Sequence, residues 1–266
     1  MVIDFHTHVF PEDIAARTIT ELEGKAGIRA ASGGTVENLL QAMEKTGVDL
    51  SLVMPVVTRP QQFDRVNHFA AHLNAQYGGR LLSFGGIHPD CEDYKGKLDR
   101  IKDMGMCGIK IHPDYQGVMI DDVRYMNIIE YADSLGMIIL THAGMDIGLP
   151  EPIHCPPDRM RKVLDTLKPA RMVAGHYGGW NQWEEVYEYL AGENVYLDTA
   201  FAFGYIDQDL FLKILNKHDR DKVLFATDAP WRDAKQYIDT VKALPLEEGH
   251  IEDILCNNAK KLLEME

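Results

Sequence analysis

The 266-residue sequence has no long apolar run and is poor in basic residues. No stretch reaches the roughly 18 consecutive apolar residues that a membrane-spanning helix needs. The chain starts MVIDFHTHVF, without the basic start and apolar centre of a secretory signal, so we expect a soluble cytoplasmic protein. Lysine and arginine number 27 against 41 acidic residues, a formal net charge of −14. Nucleic acids and anionic membranes would be repelled, so neither is expected as a partner.

Cysteine is also scarce, with four residues and no close-spaced pair. This spacing argues against a disulfide framework and against a structural zinc knuckle, so we expect reduced thiols. A glycine-rich phosphate-binding fingerprint is missing after the first apolar run. Its absence disfavours a dinucleotide-binding sheet.

Short apolar runs recur along the chain, each followed by a stretch with helical spacing. The runs are 2–5, 48–56, 81–87, 108–111, 137–142, 171–176, 195–201 and 223–228. Most are continuous rather than alternating, which indicates parallel strands covered on both faces. Strand followed by helix, eight times over, predicts an α/β fold, a single (β/α)8 TIM barrel over residues 1–266. A doubly wound open sheet is the alternative.

Polar residues stand where several of these runs end. In a barrel the active site lies at the carboxyl ends of the strands, so these side chains are expected to meet. They are His6 and His8 after the first run, Lys110 and His112 at the fourth, His142 at the fifth, His176 at the sixth and Asp228 at the eighth. Residues i and i+2 of a strand share a face, so the first two histidines can bind one cation together. Imidazole and carboxylate together suit zinc or a similar divalent ion.

The motifs around these residues resemble the amidohydrolase superfamily of metal-dependent barrel hydrolases. HTH follows the first run, THAG the fifth, AGHYGG the sixth and ATDAPW the eighth, and the closing NNAKKLLE is similar to the last helix of that family. Within the superfamily the chain looks most similar to the amidohydrolase-related branch that includes aminocarboxymuconate-semialdehyde decarboxylase. The resemblance covers nearly the whole chain and implies a metal-dependent barrel enzyme that acts on a small molecule.

The resemblance implies four ligands around one divalent ion, expected to be Zn²⁺: His6, His8, His142 and Asp228. It also places His176 beside the metal, and Asp228 and His176 are the two expected catalytic residues. In binuclear members the histidine at the position of His176 ligates a second metal, and a carboxylated lysine, here Lys110, bridges the two. The similar branch often lacks that lysine, so its presence here leaves the number of metals open. Because the overall motif set looks most like the mononuclear branch, we expect one metal, with two as the alternative.

The expected reaction is hydrolysis of an amide, ester or lactone, since a divalent ion lowers the pKa of its water from about 15.7 toward about 7. The alternative is non-oxidative decarboxylation of an unsaturated or aromatic carboxylic acid with the same metal set. The rival from another class is a barrel without catalysis that serves as a binding subunit.

Five side chains near the strand ends are expected to contact the substrate. They are Lys110, His112, Trp231, Arg59 and Tyr177. Segment 11–34 forms a long first loop with some helical character, and we expect it to cap the mouth of the barrel. The sequence leaves open whether the protein forms a homo-oligomer.

Overall fold

The computed structural model of the protein describes residues 1–149 and 151–265. Its strands are short and mostly buried, and each predicted run contains one. They are β1 Ile3–Thr7, β2 Leu50–Val53, β3 Leu81–Ser83, β4 Gly85–Gly86, β5 Gly108–Ile111, β6 Ile138–Thr141, β7 Met172–Ala174, β8 Tyr196–Asp198 and β9 Val223–Leu224. Only Phe84 separates β3 from β4, so together they occupy the third strand position.

All pairs of neighbouring strands are parallel, in the order β1-β2-β3 and β4-β5-β6-β7-β8-β9. The two ends of this series also meet. Phe5 N donates to Phe225 O at 2.9 Å, and Asp228 N donates to His6 O at 2.9 Å. These hydrogen bonds bring the first strand against the last, as in a (β/α)8 barrel, whereas an open sheet would keep them apart.

Helices follow the strands, and most of them pack on the outer faces of the strands. They are α1 Glu12–Ala26, α2 Val36–Thr46, α3 Phe63–Tyr77, α4 Tyr94–Asp103, α5 Pro113–Gln116, α6 Val123–Ser134, α7 Pro157–Leu167, α8 Trp183–Tyr189, α9 Gln208–Lys217, α10 Ala234–Lys242, α11 Glu248–Glu252 and α12 Asn258–Leu262. Two 3₁₀ turns cover Pro60–Gln62 and Arg220–Lys222, and a π-helical turn over Asp253–Asn257 joins α11 to α12. Across the described ranges, no helix has the length and hydrophobicity to span a membrane.

Successive residues of the strands alternate between two buried clusters. On β6, Ile138 and Leu140 pack in the smaller cluster, while Ile139 packs in the larger cluster that includes the helices. On β5, Ile109 and Ile111 belong to the larger, outer cluster. Alternation therefore turns Lys110 to the inner face of the barrel.

Candidate metal centre and active site

A cavity of about 390 Å³ lies at the carboxyl ends of the strands. Every polar strand-end residue singled out in the sequence lines it: His6, His8, Lys110, His112, His142, His176 and Asp228. Helix α1, which forms most of segment 11–34, supplies Ile14 and Leu22 to the same lining. The segment expected to cap the mouth therefore contributes to the wall of the cavity.

Three of these side chains converge where β1 and β9 end. His6, His8 and Asp228 each present a potential metal-ligand atom within 4.8 Å of those of the other two. His8 Nε2 lies 3.1 Å from Asp228 Oδ1, and His6 Nε2 lies 3.7 Å from the same oxygen. Asp228 has a φ of +65°, an uncommon value for a residue other than glycine and one that recurs at functional sites.

Hydrogen bonds on the other side of the rings determine which nitrogen carries the proton. His8 Nδ1 lies 2.8 Å from Met54 O, and His176 Nδ1 lies 3.1 Å from Ala200 O. Because a carbonyl oxygen only accepts, each Nδ1 donates, and in the neutral ring each Nε2 then has a lone pair. His6 Nδ1 likewise donates to a buried carboxylate oxygen at 2.9 Å, which is the usual way to orient a metal-binding histidine.

This arrangement fits a divalent cation. The Nε2 atoms of His6 and His8 and the Oδ1 atom of Asp228 are all acceptors, and they face one another at short range. Facing acceptors need a positive charge between them, and two imidazoles with one carboxylate suit a first-row divalent ion. Lys110 Nζ lies 2.9 Å from His6 Nε2, so a bound ion would take the place of this contact with the amine. The residues present therefore fit the metal that the resemblance implies.

His142, the fourth expected ligand, lies in a second group. Its potential metal-ligand atom lies within 4.8 Å of those of His112 and Asp146. The rings of His142 and His112 stack with 4.2 Å between their centroids. His142 Nε2 is buried and has no hydrogen-bond partner among the described residues. His176 lies between the two groups, with its ring 5.1 Å from that of His6 and 4.6 Å from that of His142. The expected ligands are thus divided between the two groups.

His112 has the opposite tautomer to His6, His8 and His176. It caps helix α5, where its Nδ1 accepts a hydrogen bond from Tyr115 N at 3.3 Å. Burial and the charge of Lys110 lower the pKa of His112 well below its ordinary value, so the ring is neutral. Its single proton is then on Nε2, which lies 3.5 Å from Asp146 Oδ2. His112 is therefore a hydrogen-bond donor at the cavity rather than a metal ligand.

Lys110 is 1% exposed, close to both groups. Burial lowers its pKa to about 8, against the opposing effect of the carboxylates of Asp198, Asp228 and Asp146. A lysine with this pKa is mostly an ammonium at neutral pH, yet it loses its proton more readily than a surface lysine. Both expected states of Lys110, the ammonium and the carboxylated form, are accessible to such an amine.

Of the other three residues predicted to contact the substrate, one lines the cavity and two do not. Trp231 lines the cavity. Tyr177 does not: it is fully buried, its hydroxyl donates to Phe211 O at 3.2 Å, and its ring stacks on Phe211. The position of Tyr177 contradicts the predicted contact. Arg59 is exposed in the loop after β2 and is not part of the described lining, so its predicted contact is not supported either.

Asp198, like Asp146, belongs to the site and was not predicted from the sequence. Its Oδ2 accepts the hydrogen bond from His6 Nδ1, and its Oδ1 accepts from His176 N at 2.8 Å and from Ala200 N at 3.0 Å. One carboxylate therefore holds two of the histidines in place. The available signal was its position, a carboxylate within the seventh apolar run, where no site residue had been assigned.

The sequence matches the amidohydrolase family over residues 3–265. The chain belongs to the amidohydrolase family. No curated protein matches it. The family and the resemblance predicted from HTH, THAG, AGHYGG and ATDAPW are thus confirmed, and the protein is an enzyme of this metal-dependent superfamily.

Solved structures similar to this amidohydrolase share its fold over the whole chain. One is an uncharacterised TIM-barrel protein from Bordetella bronchiseptica, 19% identical, with a TM-score of 0.79 and 99% of this chain and 98% of that chain covered. Another is 5-carboxyvanillate decarboxylase from Sphingomonas paucimobilis, 15% identical, with a TM-score of 0.71 and 100% and 99% covered. A third is a dihydroxybenzoic acid decarboxylase from Polaromonas sp. with bound manganese and 2-nitroresorcinol, 16% identical, with a TM-score of 0.74 and 99% and 96% covered. These likenesses confirm the predicted TIM-barrel fold.

Proposed function

We propose that this amidohydrolase is a non-oxidative, metal-dependent decarboxylase of an unsaturated or aromatic carboxylic acid. The observation that carries the proposal is a pair of donors on one face of β5, Lys110 Nζ and His112 Nε2–H, beside a group of acceptors that fits a cation. Such donors bind a carboxylate. Two of the structurally similar proteins are decarboxylases of aromatic acids, which supports this reaction over hydrolysis.

His6, His8 and Asp228 would hold the ion, with His142 and His176 as the nearest further ligands. When bound, the ion supplies positive charge that draws electrons from a substrate oxygen. We propose one divalent ion per chain. Zinc is the ion expected from the sequence. Manganese is the second candidate, because it is bound in the Polaromonas decarboxylase.

The walls of the cavity provide the second requirement, a pocket poor in water. They include the aromatic and aliphatic side chains of Phe10, Ile14, Leu22, Phe69, Met145, Ile147, Trp180, Phe201 and Trp231. A carboxylate that leaves water for such a pocket loses hydration, and its departure as neutral carbon dioxide becomes more favourable.

The chain's own groups then account for the remaining steps. Lys110 and His112 orient the acid, the bond between the carboxylate carbon and the substrate breaks, and its electron pair stays on the substrate carbon. Carbon dioxide leaves, and that carbon takes up a proton that comes from solvent water. His176 and Asp228 are the groups placed to hold and transfer this proton, through Nε2 and the carboxylate.

Hydrolysis of an amide, ester or lactone is the second candidate. The free lone pair of His176 Nε2 favours it, because a general base must accept a proton from water. A non-catalytic binding barrel is disfavoured by the complete set of acceptors at the mouth.

The test is a comparison of products. The protein, loaded separately with Mn²⁺ and Zn²⁺, is incubated with hydroxybenzoates and unsaturated acids and, in parallel, with esters, lactones and amides. We expect carbon dioxide from at least one acid and none from the Asp228→Asn variant. Cleavage of an ester, lactone or amide without carbon dioxide release from any acid would establish the hydrolase instead.

A further inference from the structure

The cavity extends beyond the histidines along two helices, and the chemistry above uses this part only as a wall that excludes water. Helix α1 lines it with Ile14, Thr18, Leu22, Lys25 and Ala26. The spacing of three or four residues places these side chains on one face of the helix. From Ile14 to Lys25 this face is about 16 Å long at 1.5 Å per residue. A single-ring acid bound at β5 would cover only part of it.

Helix α3 and the residue before it also line this part of the cavity. Gln62, Arg65, Val66 and Phe69 line the cavity, again on one helical face. Val66, Phe69 and, on α1, Ile14 and Leu22 are only half-buried. Apolar side chains left partly exposed beside an active site lose contact with water when an apolar ligand covers them. The extended part of the cavity therefore suits an apolar or aromatic ligand body.

Two positive charges stand in this mainly apolar lining, which also contains Thr18 and Gln62: Lys25 on α1 and Arg65 on α3. Throughout residues 1–149 and 151–265, no carboxylate oxygen lies within 4.0 Å of either charged group. Their neighbours are paired: Arg29 with Glu23 at 3.0 Å, and Asp64, next to Arg65, with a residue of α4 at 2.6 Å.

Lys25 and Arg65 are both solvent-exposed, at the rim of the cavity. In a chain with a formal net charge of −14 they place positive charge at this rim, where it attracts an anionic ligand group.

We propose that the acid this enzyme acts on is an extended one with two anionic groups. The reacting carboxylate lies at Lys110 and His112, an apolar or aromatic body lies along α1 and α3, and the second anionic group faces Arg65 and Lys25. This inference rests on the proposed function for the reacting end. The distal position is a separate feature of the same cavity.

Binding of two unreactive probes tests the distal position. Biphenyl-4-carboxylate and biphenyl-4,4′-dicarboxylate share one rigid body and differ by one carboxylate. Calorimetry on the Mn²⁺-loaded full-length protein should give a dissociation constant about tenfold lower for the dicarboxylate. In the Lys25→Gln/Arg65→Gln variant this preference should disappear, while affinity for the monocarboxylate stays within about twofold.

The matched control is Lys45→Gln/Arg80→Gln, which removes two exposed cations outside the described lining and should keep the preference. Equal affinities of the two probes for the wild type would overturn the inference, and so would a preference that persists in Lys25→Gln/Arg65→Gln. If no acid releases carbon dioxide but the preference depends on Lys25 and Arg65, decarboxylation fails and the distal anion position stands.

Discussion

The two sides of the cavity use the same residue type for opposite purposes. Around β1, β7 and β9, His6, His8 and His176 donate through Nδ1, so in the neutral ring their Nε2 atoms are acceptors, that of His6 facing Lys110 Nζ at 2.9 Å. At the start of α5, His112 accepts through Nδ1 and presents an Nε2–H group. We call these the acceptor side and the donor side. The comparison shows that a histidine near a metal site is a ligand or a donor according to what its far nitrogen contacts.

The cause of the difference is local backbone geometry. His8 and His176 lie beside carbonyl oxygens of the adjacent strand-end segments, at Met54 and Ala200. His112 precedes Pro113 at a helix start, where the first backbone N–H groups have no partner within the helix. Tyr115 N therefore takes the Nδ1 lone pair. The acceptor side follows from barrel strands, and the donor side follows from a helix cap.

The largest effect is expected from removing two acceptors. His6→Ala/His8→Ala should abolish metal binding, since the remaining residues cannot complete a coordination shell. His112→Gln on the donor side should keep its metal. Elemental analysis of both purified variants makes the comparison, and unchanged metal content in the double variant would remove β1 from the metal site.

Asp228→Asn should lower turnover by about 10²- to 10⁴-fold and leave the fold intact. The amide has nearly the same shape as the carboxylate, but it is a poorer ligand and cannot accept a proton. Product formation under saturating substrate measures the effect, and a thermal melt checks the fold. Near-normal turnover with normal metal content would exclude Asp228 from the mechanism.

Asp198→Asn tests whether the acceptor side depends on the contact behind it. The amide can no longer hold the Nδ1 proton of His6 as a carboxylate does, so metal affinity should fall by about 10- to 100-fold. Competition with a chelator measures the metal dissociation constant, which a purely structural role would leave unchanged. Asp209→Asn, at an exposed position of α9, is the matched control.

Lys110→Met separates the two states of this lysine. If Lys110 is an ammonium that faces the substrate carboxylate, KM should rise about tenfold or more with metal content unchanged, because a charge-assisted hydrogen bond is lost. If it is carboxylated and bridges two metals, metal content should fall instead. Kinetics and elemental analysis on the same sample distinguish the outcomes.

The smallest effect concerns a histidine outside the cavity with the tautomer of His112. His218 accepts from Gly192 N through Nδ1 and donates to Val195 O through Nε2, and burial lowers its pKa to about 4. Below pH 6.5 His218 is protonated in the unfolded chain but stays neutral in the folded chain. The free energy of unfolding therefore decreases as pH falls from about 6.5 toward 4.

Between pH 7 and pH 5.5 the loss due to His218 should be about 1 kcal/mol. Urea unfolding at the two pH values measures it. His218→Gln should show a smaller loss than the wild type, whereas His68→Gln on an exposed face of α3 should not. Equal losses in wild type and His218→Gln would show that the Nδ1 contact does not determine protonation.

The acceptor side could largely be predicted from the sequence. Continuous apolar runs located the strands, and the polar residues that end them met in one cavity, since parallel strands end at one face. The division of His142 from His6 and His8 could not be predicted, because it depends on distances between loops. Tyr177 was misplaced for a definite reason: His176 and Tyr177 both have positive φ, +57° and +58°, and the chain turns the tyrosine into the core.

The contact between β1 and β9 has a consequence for how the protein is made. His6 and His8 are synthesised before Asp228, from which more than 200 residues separate them. The acceptors that fit the ion come together only when the first strand pairs with the last. Pairing between residues so far apart in the sequence slows folding. A nascent or truncated chain would hold two histidines without their carboxylate. The metal content of a purified sample therefore reports the fraction of molecules in which β1 and β9 are paired.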